Sequence, residues 1–129
     1  MKLKYLTGFF VFVLLTGCDD IEKACTEDKY GSAIVYDFPD SVKAGTTLDL
    51  KVAYILENSC GSFTEFEEHV MGDTTEVRVK LLYEGCSCNL QFKEDSSYYP
   101  LKQDAAGTYF YKFYLGESDY DTYSLDVYP

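Results

Sequence analysis

The chain has 129 residues, 11 of them basic and 22 acidic, with one histidine and a formal net charge of −11. That length fits one ordinary domain, and the acidic excess repels nucleic acid and anionic lipid headgroups, so no nucleic-acid partner is expected. Thirteen tyrosines and nine phenylalanines supply enough apolar surface for a packed core, which argues against a disordered chain.

In chain order, the first stretch reads "MKLKYLTGFFVFVLLTGCDD". Lys2 and Lys4 form a basic start, residues 5–17 carry no charge, and Asp19 and Asp20 stop the run just after Cys18. A spanning helix needs roughly 20 apolar residues, more than this run offers. The order basic, apolar, small predicts a secretory signal instead. Its end, Leu15-Thr16-Gly17-Cys18, resembles the lipobox of bacterial lipoproteins. There the peptide is cut before the cysteine, the sulfur receives a diacylglycerol and the new amino terminus is acylated, with palmitate a typical chain. This reading makes residues 1–17 a cleaved signal peptide and Cys18 a lipidation site whose partner is membrane lipid. Each buried methylene contributes about 0.8 kcal/mol, so several chains on one residue anchor durably. Residues 18–29 read as the lipidated cysteine and a short acidic tether, and residues 30–129 as the folded domain.

Strand-length alternation recurs beyond the tether. Ile34, Tyr36 and Phe38 alternate before Pro39, and "DSVKAG" signals a turn. Leu48, Leu50, Val52, Tyr54 and Leu56 then share one side of a strand, with Asp49, Lys51 and Glu57 on the other. "SFTEFEEHV" has a period neither of two nor of 3.6 and is read as strand. After the turn "MGDT", Val77, Val79, Leu81 and Tyr83 face in while Arg78, Lys80 and Glu84 face out. Leu90 and Phe92 make a short strand before an expected loop, "KEDSSYYPLKQDAAG". Tyr109, Tyr111, Phe113 and Leu115 alternate next, and Tyr123, Leu125 and Val127 close the chain. About seven strands with no convincing helix predict an all-β, antiparallel two-sheet sandwich of immunoglobulin-like type, with a small barrel as the alternative. "DAAGTYFY" resembles the tyrosine corner of immunoglobulin domains, although Asp104 and Tyr109 are one residue further apart than in the usual antibody form.

Four cysteines remain once Cys18 is set aside: Cys25, Cys60, Cys86 and Cys88. In a small exported domain an even number predicts disulfides. Alternate residues of an extended strand are poorly placed to bridge each other, so Cys86 and Cys88 are expected to pair with Cys25 and Cys60, in either order. The rival reading takes Cys86-Ser87-Cys88 as a thiolate pair for a soft metal or for redox work, helped by Cys60 or His69. That would make a metal-binding or thiol-redox envelope protein, but C-x-C alone is a weak zinc signal.

No catalytic constellation stands out. His69 sits beside Glu65, Glu67 and Glu68, a pattern that a solvated acidic strand explains as well as a metal or acid/base cluster does. Glu117, Asp119, Asp121 and Asp126 could hold calcium, yet an ordinary hairpin of an acidic protein accounts for them. No nucleophile elbow, zinc-protease helix, phosphate loop or EF-hand loop is present, so neither an enzyme nor a cofactor is expected. If Tyr109, Tyr111 and Phe113 point inward, Phe110 and Tyr114 project from the opposite face as a candidate contact surface for a protein or glycan.

Three stretches, "NSCGSFTEFEE" (58–68), "YEGCSC" (83–88) and "AGTYFYKF" (106–113), standing in this order behind a lipobox, resemble a group of small uncharacterised lipoproteins of Bacteroidota, notably flavobacteria. The pattern positions are Cys60, Gly61, Phe63, Phe66, Glu68, Gly85, Cys86, Cys88, Gly107, Tyr109 and Phe113. The resemblance implies an immunoglobulin-like fold and brings no known activity. Asp19 and Asp20 resemble the start of a surface-export signal in such bacteria, shorter than usual, which implies an outer-membrane protein exposed at the surface, with inner-leaflet retention as the alternative. Asp40-Ser41-Val42 and Asp73-Thr74-Thr75 resemble the O-glycosylation site of that phylum and fall in predicted turns, making Ser41 and Thr74 candidate glycan acceptors. Together these readings describe a lipid-anchored binding or structural accessory module of the cell envelope.

Overall fold

The computed structural model describes residues 25–129. The expected signal peptide, Cys18 and Asp19 and Asp20 lie outside the described residues. Nine strands follow: β1 (Thr26–Gly31), β2 (Ile34–Val35), β3 (Ser41–Lys43), β4 (Leu48–Asn58), β5 (Gly61–Met71), β6 (Thr74–Glu84), β7 (Leu90–Leu101), β8 (Gly107–Gly116) and β9 (Asp119–Tyr128). They form a six-stranded sheet, β1-β6-β8-β9-β3 with β5 on the other side of β6, and a three-stranded sheet, β2-β4-β7. Among the described residues no helix is long and apolar enough to cross a membrane.

The architecture is the expected all-β sandwich of two sheets. In immunoglobulin domains strands A, B and E share one sheet and C, F and G the other. Here β2, β4 and β7 take the first set of places and β8 and β9 the last two, while β3 crosses over to lie parallel to β9. The β5–β6 hairpin fills the C position with its second strand, so β6 runs parallel to β8 over Thr74–Val77. Beyond that, β1 continues the same edge of β6 antiparallel, from Gly31 opposite Val79 to Thr26 opposite Glu84.

Alternation decides the interior. Leu50, Val52, Tyr54 and Leu56 of β4 face Val77, Val79, Leu81 and Tyr83 of β6 across the core, with Tyr111, Phe113, Leu125 and Val127 completing it. Each such side chain contributes about 1.5–3 kcal/mol by leaving water. An aromatic chain crosses this core, from Tyr54 on Phe63 (5.7 Å), Phe63 on Phe66 (4.9 Å) and Phe66 on Tyr99 (5.3 Å) to Phe113, Phe38 and Tyr123. The ambiguous period of β5 has a local cause. Its register slips between Phe63 and Glu65, and this bulge lets Phe63 and Phe66, three residues apart, both pack inward.

Several expectations are corrected. Nine strands replace seven, because the end of the supposed tether, Thr26–Lys29, already belongs to β1 and the supposed turn holds β3, while the supposed loop from Lys93 to Leu101 extends the expected short strand into β7. The tether and loop segments are polar because most of their side chains stand in solvent. Tyr36 is exposed and donates to Glu94 (3.1 Å), since β2 ends at Val35 and Val35 is the residue that turns inward. Leu90 (81 % exposed) and Phe92 (71 %) lie outside the core, as do the strand-end residues Leu48 and Leu115. Ser41 and Thr74 open strands β3 and β6 instead of lying in turns.

Two disulfides close one end of the sandwich. Cys25 bonds Cys86 and Cys60 bonds Cys88, with Cα separations of 5.0 and 5.6 Å. Gly85 lies between them with φ +134°, and a Cβ there would come within 2.9 Å of Cys60 Sγ. Its N–H donates to the Cys25 carbonyl (2.9 Å). Gly85→Ala is therefore expected to destabilise by about 1–3 kcal/mol through backbone strain and contact with the bridge. Replacing both Cys60 and Cys88 by alanine frees a loop with a sequence separation of 28 and is expected to remove about 3–4 kcal/mol. Urea unfolding of the oxidised protein and of these variants reads both effects.

Candidate functional site

The outer face of the six-stranded sheet gathers an unusual set of side chains. On β6 the outward positions are Thr74, Glu76, Arg78 and Lys80, the alternates of the buried valines and leucine. Arg78, the one arginine in the chain, lies under two rings, its guanidinium carbon 5.2 Å from the Tyr30 centroid and 5.0 Å from that of Tyr114. Its Nη2 donates to the Tyr120 hydroxyl at 2.8 Å. Tyr114 meets both other rings edge-on, at 6.2 Å from Tyr30 and 5.6 Å from Tyr120. β1, β6, β8 and β9 thus each contribute to one cluster.

Charges around this cluster are tied up with one another. Tyr30 donates to Glu67 (2.9 Å), Lys112 reaches Glu76 (3.7 Å) and lies 5.0 Å over the Tyr120 ring, and Lys80 pairs with Glu65 (3.7 Å). Among the described residues no carboxylate comes within ion-pair distance of Arg78. Ring faces attract a cation through their quadrupole, by about 0.5–1 kcal/mol at exposed sites, and hold the planar guanidinium in place. Among the described residues only one of its N–H groups has a protein acceptor, so the others keep their donor capacity.

Phe110 and Tyr114 share this face as expected, with Lys112 between them. Phe110 is 37 % exposed and sits opposite Thr74 in the β6–β8 register, next to the open end of the sheet. Thr74 is half-buried and its hydroxyl donates to Asp73 (3.2 Å), whereas Ser41 is exposed. His69 and Glu67 lie on the outer face, but Glu68 turns the other way and accepts a hydrogen bond from the buried Tyr99. Glu117 lies in the β8–β9 turn, Asp121 accepts from Tyr123 and Asp126 from Thr108. Among the described residues no three His, Cys, Asp or Glu side chains come together to hold a metal. Held in bridges, Cys86 and Cys88 present no thiolate to one either. Tyr109 donates to the Ala105 carbonyl at 2.9 Å, closing a tyrosine corner at the start of β8.

Residues 50–125, more than half of the chain, match the ORF11 beta-sandwich domain. The chain belongs to this family. Comparison with curated proteins and with solved structures found no match. Within this ORF11 beta-sandwich domain the matched span runs from β4 into β9, so it contains the Cys60–Cys88 bridge, Arg78, Phe110, Tyr114 and Tyr120. β1, with Tyr30 and the adjoining Cys25, lies outside it.

Tyr30 and Tyr120 escaped the sequence reading. The first stood just beyond the supposed tether and the second in a supposed loop, and only the pairing of β1 and β9 around β6 and β8 brings them to Arg78. The available signal was the lone arginine at an outward position of the most regular strand.

The buried tyrosines of this ORF11 domain respond to alkali. Burial, then the Glu68 carboxylate, pushes the Tyr99 phenol far above its ordinary range, burial also raises Tyr54 and Tyr111, and burial with Asp121 lifts Tyr123 to about 12. In the unfolded chain these groups ionise near pH 10. The raised folded values therefore contribute stability that is complete below about pH 10 and lost as pH climbs through the folded values. Spectrophotometric titration is expected to show Tyr54, Tyr99 and Tyr111 ionising above the ordinary phenol range, in step with loss of the fold. A single titration near pH 10 with the fold intact would contradict this.

Proposed function

We propose that the protein is a lipid-anchored binding module of the bacterial cell envelope, held on the outer membrane and exposed at the surface, which docks a partner protein on the Arg78 face. The observation that carries this reading is the guanidinium held between Tyr30 and Tyr114, with unused donors and with Phe110 beside it on an open sheet. Tyrosine and arginine are the side chains most enriched at protein interfaces and among their hot spots. Rings and a stacked guanidinium are already ordered, so docking costs little side-chain entropy. No catalytic group is assigned; the module acts by holding its partner.

The lipobox-like end at Cys18 supports the anchor, and the resemblance to Bacteroidota lipoproteins supports the compartment. A stretched chain spans at most about 3.3–3.6 Å per residue, so the short segment from Cys18 to Cys25 keeps the disulfide-bonded end near the bilayer. Cystine bridges suit that oxidising compartment. Ser41 and Thr74 are the proposed glycan acceptors. A glycan on Thr74 would flank Phe110 and narrow the docking face from one end.

Intact-mass analysis of protein extracted from its native membrane is expected to show a chain starting at Cys18 with acyl groups attached. Recovery of unacylated chain still carrying residues 1–17 would end the anchor reading. For the face, a photo-crosslinker at Phe110 is expected to trap an envelope protein that one at Lys51, on the other sheet, does not. Tyr114→Ala or Arg78→Ala should weaken that complex about tenfold or more. Equal trapping from both positions would refute the docking face.

A further inference from the structure

A cleft lies at the end of the sandwich away from the disulfides. Near the bridges the inward positions of β5 hold Phe63 and Phe66, which close the gap between the sheets. Past Phe66 the inward positions become Glu68 and Val70, both exposed, and apolar packing between the sheets gives way on this side to the Tyr99–Glu68 hydrogen bond. What remains is a cleft of about 390 Å³, between the open edges of β5 and β7 and the loop before β8. Its volume falls in the range of small-ligand sites. A strand position that could hold another apolar side chain presents a carboxylate instead, and local departures of this kind concentrate at functional sites.

The lining is specific. Tyr99 and Tyr111 are buried to the ring and bring their hydroxyls to the cleft, where Tyr99 donates to Glu68 and the Gln103 side-chain amide donates to Tyr111 at 2.7 Å. Tyr109 forms a half-exposed wall, fixed by its bond to the Ala105 carbonyl. Lys102 stands at the rim, paired with Asp104 at 3.3 Å. These groups are already oriented, and each keeps capacity for another bond: the carboxylate and phenol oxygens accept, while the amide and ammonium still donate. With one carboxylate and an ammonium that has its own counter-ion, the cleft carries a small net negative charge, which disfavours an anionic ligand. It offers aromatic surface edged by alternating acceptors and donors, which suits a pyranose ring with its apolar face and equatorial hydroxyls.

We propose that this cleft binds a neutral saccharide, with Glu68 accepting from sugar hydroxyls, Gln103 and Lys102 donating to them, and Tyr109 packing on the ring. The inference is independent of the Arg78 face.

The test uses the full chain in detergent and titrates maltotriose, cellotriose and chitotriose separately by calorimetry. At least one is expected to bind saturably. Glu68→Gln, which keeps the shape and removes the charge, should weaken that binding about tenfold, and Val70→Trp, at a largely exposed position on the wall, should abolish it by filling the cleft. Both variants are first checked for an unchanged unfolding midpoint, and Phe110→Ala should bind the sugar as the parent does. No saturable binding by any of the three, or binding that survives either cleft variant, overturns the proposal; loss of protein docking alone does not touch it.

Discussion

The Cys86-Ser87-Cys88 segment is the constraint on which the organisation of this molecule depends. Its two half-cystines reach in different directions, one to Cys25 ahead of β1 and one to Cys60 between β4 and β5. Three stretches far apart in sequence therefore meet at one end of the sandwich. Backbone bonds reinforce the knot, with Glu84 N–H to the Cys60 carbonyl (3.2 Å) and Ser59 N–H to the Asn89 carbonyl (3.0 Å). Gly85 is required because any side chain would press on the Cys60–Cys88 bridge. By fixing β1 to the end of β6, the Cys25 bridge also secures the strand that carries Tyr30 to Arg78. The covalent staple and the aromatic face are thus parts of one arrangement.

Tyrosine does in this core what leucine and tryptophan do in many others. A buried ring supplies apolar area, and its hydroxyl must find a partner because an unpaired one costs about 1–3 kcal/mol. The sandwich meets that demand by placing hydroxyls at its rims. Tyr83 accepts from the Glu57 N–H (3.1 Å), Tyr54 meets Ser97 (3.0 Å), and Tyr99, Tyr111 and Tyr123 find Glu68, Gln103 and Asp121. Among the described residues no buried side-chain nitrogen or oxygen lacks a partner. The same arrangement makes the fold sensitive to alkali, since burial raises the Tyr54, Tyr99, Tyr111 and Tyr123 phenols above their ordinary range.

The central strands were legible in the sequence because one side of each is buried along its length. Val77, Val79, Leu81 and Tyr83 stand where period two puts them, as do Leu50, Val52, Tyr54 and Leu56. Edge strands were not legible. β1 and much of β7 are polar on the side that meets solvent, and "KEDSS" reads as loop until β4 is known to lie beside it. Tyr36 failed for a different reason: a strand of two residues is too short for alternation to fix which side faces in. The disulfides were legible up to a choice of two pairings, since strand geometry disfavours a Cys86–Cys88 bond while only the fold places Cys25 against Cys86. Phe110 and Tyr114 followed from alternation along one strand. The Arg78 cluster and the Glu68 cleft did not, because both are made across strands that only topology brings together.

The two proposed surfaces differ in ways that follow from where each sits. The Arg78 face lies over the middle of a paired sheet, where β6 is covered by neighbours on both sides, so the backbone there is spoken for and only side chains can be read. Such a surface suits the large partner proposed for it. The cleft lies where two edge strands diverge, bounded by β5 and β7 and closed behind by the tyrosine corner, so it is concave and takes something small. At the other end the Phe63–Phe66 pair fills the gap between the sheets. If Cys18 carries the lipid, the closed end faces the bilayer and the cleft points away from it.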